Sequence, residues 1–370
     1  MRPKILHLID TGGPGGAETI FLRVAVGLEA RGWDALPVMG RDDWLAAQLR
    51  EAGIAPTILN AKGSFNLAYL VQLRRLVREH HIAAVITHLY GSAIYGSLLG
   101  LIVRIPVISI LHGQSDINAT ERFSTIKARI VAAGATRLVA VSTALRDDLS
   151  SAIPVPVNRW SVIANGVDTE LLKPGSVLGL RERLGLAADT RLVGALGNIR
   201  KPKAYDVFLR VAARLIEQDP HYHFVIAGQG SGGLMEELLA LETQLGLRDK
   251  VTFLGLENDI CGYLGELDIF LLTSSTEGFS IACVEAMACG LPVVATRSGG
   301  PQDIVVDGQT GFLCPVGDIA GLSEAVARLG SDRALRLAFG AQGRDRALNL
   351  FSLERMVNAY AHMIDEVIRA

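Results

Sequence analysis

A surplus of either charge is missing from this chain. Its 36 lysines and arginines nearly balance 38 aspartates and glutamates, a formal net charge of −2, so the electrostatic footprint of a nucleic-acid binder is absent. Cysteine is scarce. The four cysteines, Cys261, Cys283, Cys289 and Cys314, all fall in the second half without the short spacings of a metal site, and read as reduced, buried thiols. Long hydrophobic runs are lacking too. The longest, Ala93 to Val103, is too short to span a bilayer and is cut by Arg104 and Pro106, so it reads as a core helix followed by the strand VISIL. The first strand candidate already begins at Lys4, which leaves no room for a signal peptide, and the expectation is a protein made and kept in the cytoplasm.

What is present is apolar material in a regular rhythm. Of 370 residues, 49% are hydrophobic and 20% charged, which suits two domains of ordinary size, each with its own core. In the first half, strands are predicted at 4 to 9 and near 35 to 39, 54 to 59, 84 to 88, 107 to 111, 138 to 142 and 160 to 163, with amphipathic helices between most of them. The polar segment NGVDTELLKPG, 165 to 175, then interrupts, and the rhythm restarts. Further strands are predicted near 192 to 196, 223 to 227, 251 to 254, 268 to 272 and 292 to 295. Strands alternating with helices read as α/β, with two doubly wound, Rossmann-like domains at 1–172 and 173–352 and a closing helix at about 353–370.

The segment EGFSIACVE, 277 to 285, places Glu277 and Glu285 at the two ends of seven mostly apolar residues. Ser280 suits an N-cap, Gly290 a C′ residue, and the helix between them is apolar apart from Glu285, which predicts a nearly buried carboxylate. Such a carboxylate needs hydrogen-bond donors, either structural ones or ligand hydroxyls. At the carboxyl end of a strand beside a helix start, the backbone N–H groups of Phe279, Ser280 and Ile281 suit a phosphate, and the two carboxylates suit ligand hydroxyls. The loop GGPGGAE, 12 to 18, lets backbone approach a ligand at Gly15 and Gly16, but as a dinucleotide fingerprint its third glycine falls on Glu18. Asp42 stands where a ribose-binding acid would serve that reading. The loop GNIRKPKAYD carries Arg200, Lys201 and Lys203, cations able to hold a diphosphate without a metal, or simply a solvated basic loop. His112 ends a strand at its catalytic edge, while His221 and His223 read as surface residues.

Taken together, EGFSIACVE with GGAE at 15 to 18, NGVD at 165 to 168, GNIRKPK at 197 to 203, GQG at 228 to 230, GLPVVAT at 290 to 296, Gly299-Gly300 and DGQTGFL at 307 to 313 resemble a retaining glycosyltransferase of family 4, from about residue 3 to 360. The resemblance implies the GT-B architecture, two Rossmann-like domains facing a cleft, with the closing helix packed back on the first. It implies a hexosyltransferase needing no cofactor or metal, which moves a sugar from a nucleotide-diphosphate donor, a UDP-sugar being the first choice, to a hydroxyl acceptor. By position, Glu277 attends the donor sugar, Glu285 the ribose, Arg200 and Lys203 the diphosphate, Gly15, Gly16 and Gly230 the backbone approach to the donor, and His112 the transferred sugar. The sequence departs from the family at Asn198 for Arg, Ala204 for Gly, Thr273 for Pro and Asp303 for Glu. A sugar phosphorylase or nucleotide-sugar hydrolase on the same fold stays open, as does an NAD-dependent enzyme. The acceptor is expected to be a sugar or lipid-linked sugar in surface polysaccharide or glycolipid synthesis. Arg74, Arg75 and Arg78 on one predicted helix add the expectation of peripheral contact with the inner face of an anionic membrane.

Overall fold

The computed structural model describes residues 2–60, 66–113, 123–230 and 232–369. They form two compact units, Met1–Gly166 with Leu353–Ala370, and Val167–Ser352. The division falls between Gly166 and Val167 instead of after residue 172. The reason is bonding: Val167 N–H donates to Phe351 O, and the Arg344 guanidinium reaches the carbonyl of Leu172, so residues 167 to 172 are tied to the second unit.

The first unit is built on seven parallel strands: β1 (Lys4–Ile9), β2 (Asp34–Met39), β3 (Thr57–Ile58), β4 (Ile82–His88), β5 (Val107–Leu111), β6 (Arg137–Ala140) and β7 (Trp160–Val162). Their order is β3-β2-β1-β4-β5-β6-β7. The chain winds outward from β1 in one direction, then returns to add β4 on its other side, so the topological switch lies between β1 and β4. Strands such as VISIL are buried at every position, as a sheet covered on both faces requires. Only Thr57–Ile58 of the segment 54 to 59 pairs, at the sheet edge.

The closing helix Leu353–Arg369 buries Met356, Val357, Tyr360, Met363, Ile364 and Val367, a stripe at three- and four-residue spacing. It packs on helix Gly16–Glu29 in the first unit. Contact is close enough that a Cβ on Gly27 would lie 2.4 Å from Val357 Cγ2, so glycine is required there.

The second unit has six parallel strands: β8 (Arg191–Leu196), β9 (Tyr222–Ala227), β10 (Val251–Gly255), β11 (Ile269–Leu272), β12 (Val293–Thr296) and β13 (Gly311–Cys314). Their order, β10-β9-β8-β11-β12-β13, puts the switch between β8 and β11. β13 has no counterpart among the sequence-predicted strands. It is four residues long, without alternation, and its Gly311 lies so close to β12 that a Cβ would meet Val293 O at 1.8 Å. No helix among the described residues is long and apolar enough to cross a membrane.

Candidate active site

In the second unit the site grows from the loops that leave β8 and β11, the two strands flanking the switch. After β8 the chain turns through Gly197 to a short 3-10 turn, Lys201–Lys203, which ends at Ala204. Lys203 Nζ donates to Glu277 Oε1 at 2.7 Å, and Ser274 Oγ donates to the same oxygen at 2.7 Å. The carboxylate is therefore charge-neutralised and oriented at once. Its side chain is 11% exposed and that of the lysine 22%, so the pair is partly shielded from water, where an ion pair acts more strongly than at the surface. The backbone of Glu277 is fixed as well: its N–H donates to Ser298 O at 2.8 Å, and its carbonyl accepts from Gly300 N–H at 2.9 Å.

Two departures from the family pattern turn out to be coupled. Ala204 adopts the left-handed conformation, φ 46° and ψ 50°, which costs a residue with a Cβ about 1 to 2 kcal/mol. Thr273 Oγ1 lies 3.0 Å from the carbonyl of Ala204 and 3.1 Å from that of Lys203, so its hydroxyl holds the strained turn by a bond no proline could make. Replacing Ala204 with Gly removes the strain at the cost of a floppier unfolded chain, and should raise stability by up to about 1 kcal/mol. Urea unfolding of Ala204→Gly showing no gain would mean that the turn is already relaxed.

Helix Ile281–Ala288 begins at Ser280, whose Oγ accepts from Cys283 N–H. Its first-turn N–H groups have no intrahelical acceptor, which suits an anion. Phe279 puts its ring in the core against Phe351, centroids 5.9 Å apart, so only its backbone is available to a ligand. Glu285 is half-buried, not nearly buried as the sequence suggested. The helix leaves only Ile281 and Glu285 partly open, and these positions, four apart, share one face. The structural alternative is illustrated by Glu266, buried and accepting backbone N–H groups from Leu178, Leu180 and Arg181 at 2.6 to 2.9 Å. Burial alone would raise the Glu266 carboxyl, but those donors outweigh it and hold the group below its usual range. Glu277 is held by a cation and a hydroxyl instead.

Arg200 is exposed and lines a cavity of about 360 Å³ with Tyr205, Leu234, Glu237 and Leu241, a lining that includes neither Glu277 nor Glu285. The structure thus brings Lys203 to Glu277, while Arg200, three residues earlier in the same loop, is exposed. Gly230 backs the same loop, since a Cβ there would meet Ile199 Cδ1 at 2.7 Å. Burial pushes the Cys283 thiol, in the helix beside this site, up to about 12, so it is no thiolate nucleophile.

The first unit holds Gly15, Gly16 and His112. Gly15 is the N-cap of helix Gly16–Glu29 in extended conformation, with Glu18 in the first turn. His112 directly follows β5 and is half-buried. It shares the strands' carboxyl edge with His88, which closes β4 and bonds to it, and His7 of β1 bonds to His88 in turn. His7, His88 and Ser274 are the site residues that sequence reasoning missed; a histidine at the last position of β4 was the available signal. His223 is buried against Thr252 Oγ1 at 2.9 Å, while His221 lies at the surface on Asp219. Asp42 is engaged by Arg50 through both oxygens, at 2.7 and 2.9 Å, in an exposed ion pair. Among the described residues, no group of three or more His, Cys, Asp or Glu side chains is arranged to hold a metal ion.

Each unit thus carries a parallel sheet with a switch point, and in the second a lysine and a glutamate pair across that switch. The profile of Glycosyltransferase Family 4 matches residues 14–171, and that of Glycosyl transferases group 1 matches residues 179–346. The chain is a glycosyltransferase of the GT-B class. It is 25% identical over 297 residues to the N-acetyl-alpha-D-glucosaminyl L-malate synthase of Bacillus anthracis, covering 78% of this chain and 74% of that one. It is 32% identical over 249 residues to the D-inositol 3-phosphate glycosyltransferase of Saccharomonospora viridis, covering 65% of this chain and 58% of that protein's length. Among solved structures, Anabaena Alr3699/HepE in complex with UDP superposes with a TM-score of 0.87 at 25% identity, covering 98% of this chain and 100% of that one.

Proposed function

We propose that this protein is a retaining, metal-independent glycosyltransferase that moves a sugar from a nucleotide-diphosphate donor, a UDP-sugar first of all, to a hydroxyl acceptor. The observation that carries the reading is the Lys203–Glu277 pair at the carboxyl ends of β8 and β11, the place in an open α/β sheet where ligands bind. Support for the donor class comes from Alr3699/HepE, whose structures include complexes with UDP and with UDP-glucose.

In the proposed reaction the bond between the anomeric carbon and the diphosphate oxygen breaks, and a bond from the acceptor oxygen forms on the same face of the sugar. The acceptor proton passes to the departing phosphate oxygen. Lys203, with the first-turn N–H groups of helix Ile281–Ala288, offsets the charge that collects on the leaving group. Glu277 stabilises the positive charge developing on the sugar, and Glu285, on the open face of the same helix, accepts from ribose hydroxyls. The neighbouring thiol, Cys283, stays protonated and is no candidate for a covalent nucleophile. With positive charge supplied by the lysine and the helix start, turnover of a UDP-sugar should survive EDTA. Product mass spectrometry against a panel of UDP-, GDP- and ADP-sugars tests the reading; loss of turnover in EDTA, restored by magnesium, overturns its metal independence, and binding of NAD but not UDP overturns the whole.

The acceptor side is proposed from the first unit. Helix Leu67–His80 exposes Leu67 and Val71, 72% and 59%, beside exposed Arg74, Arg75 and Arg78. Apolar and cationic residues on one helix surface suit contact with an anionic, lipid-bearing acceptor at a membrane. Flotation with anionic and neutral liposomes measures it, and equal recovery with both would remove this part.

A further inference from the structure

Three histidine rings stand in line across the switch point of the first sheet. His7 lies in β1, His88 ends β4, and His112 follows β5, three strands that are neighbours in the sheet. His7 Nε2 and His88 Nε2 are 2.8 Å apart, and His88 Nδ1 and His112 Nε2 are 2.9 Å apart. His7 and His88 are wholly buried, and the His7 ring is stacked on Phe21 with centroids 3.8 Å apart.

Burial holds His7 and His112 down to about 3, and His88, with its two ring neighbours adding to the effect, well below its ordinary value. Each ring is therefore neutral near pH 7 and carries one proton. Each short nitrogen-to-nitrogen contact needs one proton between its two atoms, because two bare lone pairs repel and two N–H groups collide. Only two arrangements satisfy both contacts. In one, every proton points toward His7, and the last sits on His7 Nδ1. In the other, every proton points toward His112, and the last sits on His112 Nδ1.

The surroundings of His7 separate the two. Its Nδ1 is buried and has no hydrogen-bond partner among the described residues. A bare ring nitrogen tolerates this better than an orphaned N–H, the rarer and costlier defect in folded proteins. We infer that His7 and His88 are positioning residues that lock His112 in the Nδ1–H tautomer, which makes that atom a neutral hydrogen-bond donor. A free histidine side chain in water prefers the proton on Nε2, so the relay reverses the intrinsic choice. A neutral donor at that atom recognises an oxygen acceptor, such as a sugar hydroxyl or a phosphate oxygen, without adding charge. This use of the donor rests on the reading of His112 as a residue at the transferred sugar; the tautomer itself does not.

The test is nitrogen NMR of the full chain labelled with 15N-histidine at pH 7, the His112 signals being assigned by their loss in His112→Asn. The expected wild-type spectrum has a protonated Nδ1 and a bare Nε2 for His112. His88→Leu should return the proton to Nε2 and lower kcat/KM for the UDP-sugar about tenfold, the worth of one well-placed hydrogen bond. His88→Gln should restore the Nδ1–H signal, because its amide accepts from His7 and donates to His112. A protonated Nε2 on His112 in the wild type overturns the inference outright, as does an unchanged tautomer in His88→Leu. If the tautomer is as stated while His112→Phe keeps wild-type donor affinity and turnover, the assignment of His112 to the sugar fails instead.

Discussion

Glu277→Gln is expected to lower kcat by about 10² or more while leaving donor KM and the melting temperature close to wild type. The amide keeps the shape of the carboxylate and can still accept from Ser274, so the local hydrogen bonding survives. What disappears is the negative charge, and that charge matters only once the sugar begins to lose its leaving group. Lys203 does not cancel it for this purpose: its ammonium is shared with a diphosphate in the proposed complex, which leaves the carboxylate to face the reacting carbon. Glu285→Gln should behave differently. Its carboxylate is proposed to accept from ribose in ground and transition states alike, so KM should rise more than kcat falls. Steady-state kinetics on both variants, with melting curves beside them, separate the roles. Wild-type kcat in Glu277→Gln would make that residue a structural partner of Lys203 and no more.

Lys203→Met should cost still more, about 10³ in kcat/KM, because two effects act together. Removing the ammonium deletes the charge proposed to offset the diphosphate, and it strands the Glu277 carboxylate in a partly buried place with Ser274 as its remaining bonded side-chain donor. The double variant Lys203→Met with Glu277→Gln should therefore be far from additive, since the second change relieves the stranded charge that the first creates. Arg200→Met provides the contrast. Arg200 is exposed, and the contact to Glu277 is made by Lys203, so the loss of Arg200 should cost several-fold less than that of Lys203. Equal losses in the two variants would mean that the loop acts through its net charge and not through the Lys203–Glu277 contact.

Much of this site is legible in the sequence, and the reason is local. A helix start shows in Ser280, and its end in Gly290, because capping depends on residues a few positions apart. Glu277 and Lys203 each stood out as charges at the end of an apolar strand, which is also a local signal. The burial of Glu285 was misjudged because composition cannot say which narrow face of an otherwise apolar helix stays open. Ile281 and Glu285 share that face by periodicity, but the packing of neighbouring elements selected it. Thr273 looked like a mere departure from a family pattern until its hydroxyl was seen on the carbonyls of Lys203 and Ala204.

The sequence by itself determined the alternation of strand and helix and which loops carry charge, while the boundary it set after residue 172 moved to 166 once the bonds of Val167 and Leu172 were in place. Tertiary structure alone decided which of those loops meet. Lys203 and Glu277 are 74 residues apart along the chain, His7 and His88 are 81 apart, and both pairs form only because the chain reverses its winding and lays β11 beside β8 and β4 beside β1. Hydrophobic periodicity reports the face that a strand buries, on a scale of two residues. It carries no information about strand order, which is set by how helices of given length cross over and pack on a twisted sheet, and so the partners of a half-buried lysine or a buried histidine emerge only when the whole sheet is assembled.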